Sequence, residues 1–297
     1  MYVYWFISSI IDFSLDNHPN KTYIVLPNPK LMTRIESPSS INTYNQCARK
    51  YYYSYIERLP TKDNIHTVRG KIVHSALEKF FKINPENLPE NDYENVLRAV
   101  LVDIFNKEWR SEYEKLVRVL DRSPLMVHHY YTDTIKMINN WIEMFIDKIK
   151  SIDKPAKDAF KELIPITEHK LVSEEFRVMG FVDAIHENNE ITLIDYKTSN
   201  KSDITDEYKL QLAIYSLLYK TSKNKLPDKV GISFLGNGKE IFLDVNDELI
   251  KLAEDETKKI HEKTITQEKD DYKKSPGPLC KYSSGQCDFY ETCKPFD

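Results

Sequence analysis

Hydrophobic and polar positions follow a helical period through the first half of the chain and a strand period after it. Residues 38–57, PSSINTYNQCARKYYYSYIE, read as a helix with Ser39 or Ser40 as N-cap and Pro60 beyond its end. Residues 67–83, TVRGKIVHSALEKFFKI, read as a second, with Val73, Leu77, Phe80 and Phe81 as its apolar stripe. Two longer helical stretches follow, near 91–118 and 125–150. After Pro155 the segment ITEHKLVSEEFRVMGFVDAIHENNEITLIDYKTS alternates and is rich in β-formers, which predicts strands near 165–173, 176–186 and 190–198. Residues 206–221 are an amphipathic helix, KVGISFLG and KEIFLDV a further strand pair, and 246–264 a polar helix; the tail from 273 is loop-like. Helices, then β-β-β-α-β-β, then a helix and tail predict a mixed α/β fold with one sheet.

Composition adds limits. Pro and Gly are sparse, at 14 and 7 residues, and no linker, low-complexity stretch or fixed-period repeat interrupts the chain, so one large domain with an elaboration is expected. The net charge of −4 is not that of a globally basic nucleic-acid binder; any DNA contact must come from local cations and bound metal. Met1 to Phe13 are apolar, but no basic region precedes them, Asp12 interrupts them and no small-residue cleavage site follows. The run is too short to span a bilayer. A packed extension, or a start at Met32, is the expectation, in a cytoplasmic chain with no membrane partner. No G-x-x-x-x-G-K-[ST] is present, which argues against a P-loop ATPase.

The candidate chemistry centres on Asp183 and Asp195-Tyr196-Lys197. On a strand, Asp195 and Lys197 share a face and Tyr196 takes the other. If the turn Glu187-Asn188-Asn189-Glu190 is centred on Asn189, Asp183 lies across from Asp195, with Cβ atoms roughly 4.5–5.5 Å apart. A two-residue Asn188-Asn189 turn would put the aspartates on opposite faces, so an odd-length or bulged turn is expected. Two such carboxylates repel unless a cation sits between them, and hard oxygen ligands suit Mg²⁺ or Mn²⁺. An isolated D-x-K would more often be surface charge than a site.

Context changes that balance. GFVDAI…LIDYKTS resembles the signature of RecB-like PD-(D/E)XK nucleases, with Gly180 three residues before Asp183 and Thr198-Ser199 after Lys197. The resemblance implies a restriction-endonuclease-like mixed central sheet flanked by helices, an N-terminal helical region and a C-terminal iron–sulfur tail. It implies Asp183, Asp195 and the Tyr196 backbone carbonyl as ligands of Mg²⁺ or Mn²⁺, and Lys197 as the catalytic lysine. Glu168 on the preceding strand is a further ligand candidate, though a solvent-facing glutamate is as good a reading. His74, in the G-x-x-x-H spacing with Gly70, matches an additional metal ligand of that family; a lone helical histidine is otherwise more often a boundary residue. Gln211 and Tyr215, i and i+4 on one helix face, match the family's Q-x-x-x-Y, which positions DNA or the lysine.

Four cysteines, Cys47, Cys280, Cys287 and Cys293, could close a tetrahedral metal site or a [4Fe–4S] cluster, pair as two disulfides, or remain free. Disulfides do not suit a mesophilic cytosol. The resemblance implies the cluster, with structural Zn²⁺ as the alternative: Cys47 lies in a C-x-R/K-aromatic context, and Cys287 and Cys293 form the final C-x5-C. Six residues separate Cys280 from Cys287 where two are usual. Asn45 to Tyr55, NQCARKYYYSY, joins Arg49 and Lys50 to tyrosines that either stack on single-stranded bases or fill a core. The expected organisation is 1–36 an extension, 37–160 a helical region, 161–265 the nuclease core and 266–297 the cysteine-rich segment. The implied function is a metal-dependent DNA exonuclease acting on single strands or free ends in repair, with a CRISPR spacer-acquisition nuclease and a non-catalytic DNA-binding module as alternatives, and a helicase or integrase as partner.

Overall fold

Alternation along the strands of the second half builds the frame of the molecule. The computed structural model describes residues 34–282 and 285–297, so nearly all of the proposed N-terminal extension, and Met32, lie outside the described residues. Strands β1 (Ile166–Ser173), β2 (Val178–Glu187), β3 (Ile191–Lys197), β4 (Lys229–Phe234) and β5 (Lys239–Asp244) form one sheet in that order. Neighbours are antiparallel except β3 and β4, which run parallel and are joined through α8 (Asp206–Lys223). The crossover helix is what a parallel pair requires. This is the expected β-β-β-α-β-β order in a mixed sheet.

Helices cover both faces. Against one lie α3 (Ile65–Phe80), α4 (Tyr93–Ser111), α5 (Tyr113–Val119), α6 (Pro124–Ser151) and α7 (Ala156–Leu163). Their core is aromatic: Trp141 stacks on Phe145 at 5.2 Å, and Phe80 stands edge-on to both. Against the other lie α8, α9 (Asp247–Lys263) and α1 (Pro38–Gln46). β3 shows how alternation serves both layers. Ile194 and Tyr196 enter the α3 side, and Ile191 and Leu193 the α8 side. Asp195 and Lys197 therefore fall on the α8 side by parity. Among the described residues no helix is long and apolar enough to cross a membrane.

Boundaries depart from expectation where distant segments dock. The first helix is capped by Ser37, with Ser40 at N3 closing a capping box, rather than by Ser39 or Ser40. It does not run through to residue 57. Cys47 is extended (φ −162°, ψ 109°), and α2 (Ala48–Tyr51) restarts after it, passing into a π-helical stretch over Tyr52–Ile56. The tail causes the break: Arg49 gives its amide to the Lys273 carbonyl (3.1 Å) and its Nε to the Tyr272 carbonyl (2.7 Å). The stretch near 91–118 is likewise two helices, divided at Glu112. The tail is not all loop; it holds a two-stranded ribbon, β6 (Lys281–Tyr282) with β7 (Gly285–Gln286), and the single turn α10 (Tyr290–Cys293). Tyr51 and Tyr53 are fully buried and Arg49 nearly so, so for these three the core reading of the NQCARKYYYSY segment holds and a stacking surface does not.

Gly231, in the middle of β4, shows how tightly the sheet edge is closed. It pairs with Phe242, whose ring covers it, and a Cβ there would meet that ring and stand 2.6 Å from the Ile241 carbonyl oxygen. Gly231→Ala is expected to cost about 1–3 kcal/mol through overpacking. Urea unfolding should show a lower midpoint at unchanged m-value; an unchanged midpoint would contradict this packing.

Candidate functional site

The site begins with the β2–β3 turn. Glu187 pairs with Ile191, leaving Asn188, Asn189 and Glu190 as a three-residue turn centred on Asn189. That is the odd-length turn the two aspartates need. The ladder continues to Ala184↔Ile194, and its register sets Asp183 opposite Asp195. Beyond that pair the strands are held by a side chain, since Asp183 Oδ2 accepts the Tyr196 amide at 2.6 Å.

β1 adds Glu168 through a local irregularity. Its pairing with β2 passes from Thr167↔Ala184 to His169↔Val182 and omits Glu168, which has φ +47°. A left-handed glutamate costs about 1–2 kcal/mol. In β2 the faces exchange at the same level: Val182 packs on the α8 side and Ala184, two residues on, on the α3 side. Regular alternation would put both on one face. The irregularity lets Asp183 and Glu168 both meet α3.

There they find His74. Its Nδ1 lies 3.1 Å from Asp183 Oδ1 and 3.7 Å from Glu168 Oε1, while Nε2 is 3.0 Å from the Tyr196 carbonyl oxygen. Burial alone would lower the pKa of this imidazole; the Asp183 carboxylate, with Glu168 and Asp195, outweighs it and raises it to about 10. His74, Glu168 and Asp183 each offer one ligating atom, all within 4.8 Å of one another, and no other such trio of His, Cys, Asp or Glu occurs among the described residues. An imidazole and two carboxylates fit a divalent cation of the Mg²⁺ or Mn²⁺ kind. The Tyr196 carbonyl is occupied by His74, with its second lone pair left over.

Asp195 stands outside that trio and is held from α8. Gln211 uses its whole amide here. Nε2 donates to Asp195 Oδ1 (2.8 Å) and to the Tyr215 hydroxyl (2.9 Å), and Oε1 accepts from Lys197 Nζ (2.9 Å). Lys197 Nζ lies 2.7 Å from Asp195 Oδ2, yet off the hydrogen-bonding direction, so that buried oxygen keeps an ionic neighbour and no directed donor. Burial pushes the Asp195 carboxyl up, Lys197 opposes this, and Asp183 adds to it. For Lys197 burial works downward and the Asp195 charge prevails, holding the ammonium above its ordinary range. Gly180 makes room for the arrangement, since a Cβ there would come 3.0 Å from the Tyr215 ring.

A family model of the PD-(D/E)XK nuclease superfamily matches residues 36–294. The chain belongs to the PD-(D/E)XK nuclease superfamily. The chain carries the D-x-K form at Asp195-Tyr196-Lys197. Among solved structures, a candidate exonuclease from Eubacterium rectale is similar over 83% of this nuclease and 85% of its own chain, at 11% identity and a TM-score of 0.48. No curated protein matches the sequence.

The four cysteines come from the two ends of the described chain, Cys47 between α1 and α2 and Cys280, Cys287 and Cys293 in the tail. All are free and partly buried. Burial raises the Cys293 thiol, with Cys47 and Cys287 close enough to add to the effect; burial likewise raises Cys287, with Cys280 adding. The Cys287 amide donates to the Cys280 carbonyl at 3.0 Å.

One residue that sequence reasoning missed braces this nuclease site. Buried Arg69 donates to Asp133 Oδ2 (2.8 Å) and to the Thr198 carbonyl (2.9 Å), tying the helix of His74 to the strand end of Lys197. Its neighbour in sequence, Gly70, was visible; its partners lie 64 and 129 residues away.

Gln211→Leu would strip three hydrogen bonds from buried partners and is expected to destabilise the fold by about 1–3 kcal/mol. Tyr215→Phe removes one acceptor and keeps the ring, costing about 0.5–1.5 kcal/mol. Urea midpoints for the two variants should fall in that order; equal, negligible shifts would contradict the network.

Proposed function

We propose that this nuclease is a metal-dependent exonuclease that hydrolyses DNA phosphodiester bonds, on single strands or from free ends. One observation carries the reading: His74, Glu168 and Asp183 converge on a space beside Asp195 and Lys197. A divalent cation bound there would polarise the scissile phosphate and lower the pKa of an attacking water. His74 and Glu168 would hold it from the α3 side, and Asp183 and Asp195 from between the strands. The Tyr196 carbonyl fixes the imidazole by accepting from Nε2, which leaves Nδ1 directed at the carboxylates. Lys197, steadied by Gln211, supplies positive charge where charge builds on the phosphate. A DNA-binding module without catalysis would have no use for two buried aspartates and a lysine held in this way.

We further infer that Cys47, Cys280, Cys287 and Cys293 hold a [4Fe–4S] cluster that fastens α2 to the tail. The docking of the tail on α2, through Arg49 to the Tyr272 and Lys273 carbonyls, and the Cys287 amide bonded to the Cys280 carbonyl support this. All four are free thiols, Cys47 at the break between α1 and α2 and the other three in the tail; a structural Zn²⁺ held by the same four sulfurs is the alternative. Its work would be structural.

End-labelled single- and double-stranded DNA, with and without Mn²⁺, tests the hydrolytic reading. Progressive shortening is expected only with metal and should disappear in Asp195→Ala. Lys197→Ala should lose about 10²–10³-fold in rate and still bind DNA. A clean wild-type preparation that leaves both substrates intact sinks the proposal. Mn²⁺ should also raise the melting temperature of wild type but not of Asp183→Asn with Glu168→Gln. For the cysteines, anaerobic purification should yield a brown protein absorbing near ~400 nm; a colourless protein carrying one zinc would overturn the cluster.

A further inference from the structure

Phe181 has no task in the site described above. It lies on β2 two residues before Asp183, roughly 7 Å along the strand, and the residue is 48% exposed. Its neighbours Gly180 and Val182 face α8, and Phe181 faces α3. There it walls a cavity of about 460 Å³ together with Lys71, Ser75 and Glu78, and with His74 and Glu168 of the candidate cation site. The wall is low at Gly70, where a Cβ would meet nothing within 4 Å. The cavity is thus continuous with the place where a scissile phosphate would lie, and it is large enough for a nucleotide.

We propose that Phe181 is a stacking platform for the nucleobase next to the scissile phosphate. The proposal rests on the nuclease reading and names the substrate class more closely. A ring stacks on any base because every base has a π-face, so the site would tolerate sequence. A base inside a duplex has both faces covered by its neighbours; only an unpaired or terminal base can offer one to Phe181. The site therefore takes single strands and frayed ends, and the interior of a duplex cannot enter it. Around the ring the cavity is polar. Lys71 stands at its rim, paired with Glu112 at 2.8 Å, and Ser75 donates to Glu108 at 2.7 Å. With Lys71 already paired, what this cavity offers beside the candidate cation site is one exposed aromatic face, which the flat apolar face of a base matches.

The test compares intact single-stranded oligonucleotides with a series carrying one abasic site at successive positions around the cleavage point. Wild type, Phe181→Ala, Phe181→Leu and Phe181→Trp are measured on each with Mn²⁺. Phe181→Ala should lower kcat/KM on intact DNA roughly 5- to 150-fold. One abasic position should cost wild type a similar factor and Phe181→Ala nothing further, and Phe181→Trp should restore the rate where Phe181→Leu does not. Stacking is read separately from cleavage by 2-aminopurine placed at that position, whose fluorescence should be quenched on binding to wild type and Phe181→Trp but not to Phe181→Ala. The Mn²⁺ melting shift should persist in all four proteins, which reports on fold and cation site. Equal abasic penalties in wild type and Phe181→Ala, or equal quenching, overturn the stacking role. Quenching without any wild-type cleavage would sustain the platform and remove the hydrolytic reading beneath it.

Discussion

Two carboxylates buried on adjacent strands set the terms for everything around them. Asp183 and Asp195 are 8% and 3% exposed, and a buried charge left without partners costs several kcal/mol. Each has therefore been given its own retinue. Asp183 accepts the Tyr196 amide and meets the His74 ring; Asp195 accepts from Gln211 and lies against the Lys197 ammonium. The supports come from opposite layers, α3 on one side of the sheet and α8 on the other. The two cores must consequently stay in register for the charges to remain balanced. Buried Arg69 is part of that coupling, since it joins α3 to the end of β3.

The backbone bears part of this cost. Glu168 sits in a left-handed conformation within a strand, and β2 exchanges its faces at the same level. Strain of this kind persists only where surrounding structure over-determines it. Here the surrounding structure is a five-stranded sheet covered on both faces. The outcome is a histidine from α3 brought together with two carboxylates from the adjacent strands β1 and β2.

A second closure joins the ends of the described chain. Glu36 is fully buried, and its carboxylate takes hydrogen bonds from the Tyr51 hydroxyl (2.6 Å), Ser40 (2.6 Å) and Arg34 (2.9 Å), while its backbone bridges to Val178. Tyr51 in turn stacks on Tyr272 of the tail at 6.0 Å. The opening of the helical region is thus bound both to β2 and to the segment that carries the last three cysteines. The helix break at Cys47 is the local sign of that docking.

Read by itself, the sequence determined the element order and a single sheet, which rest on local physics: a period of two for strands and 3.6 for helices. The mixed pairing came with the family resemblance, and the odd turn was required by the aspartate pair rather than announced by the turn's own residues. The sequence also singled out Gly180, Gln211 and Tyr215, whose spacing survives intact in the network around Lys197. Only the tertiary structure decided which ligands gather. It placed Glu168 beside His74 through a left-handed residue that no pattern announces, set Asp195 apart with Gln211 and Lys197, broke the first helix at Cys47 and recruited Arg69. Each of those outcomes depends on partners dozens to hundreds of residues away, and a contact between distant segments leaves no periodic trace in the chain that makes it.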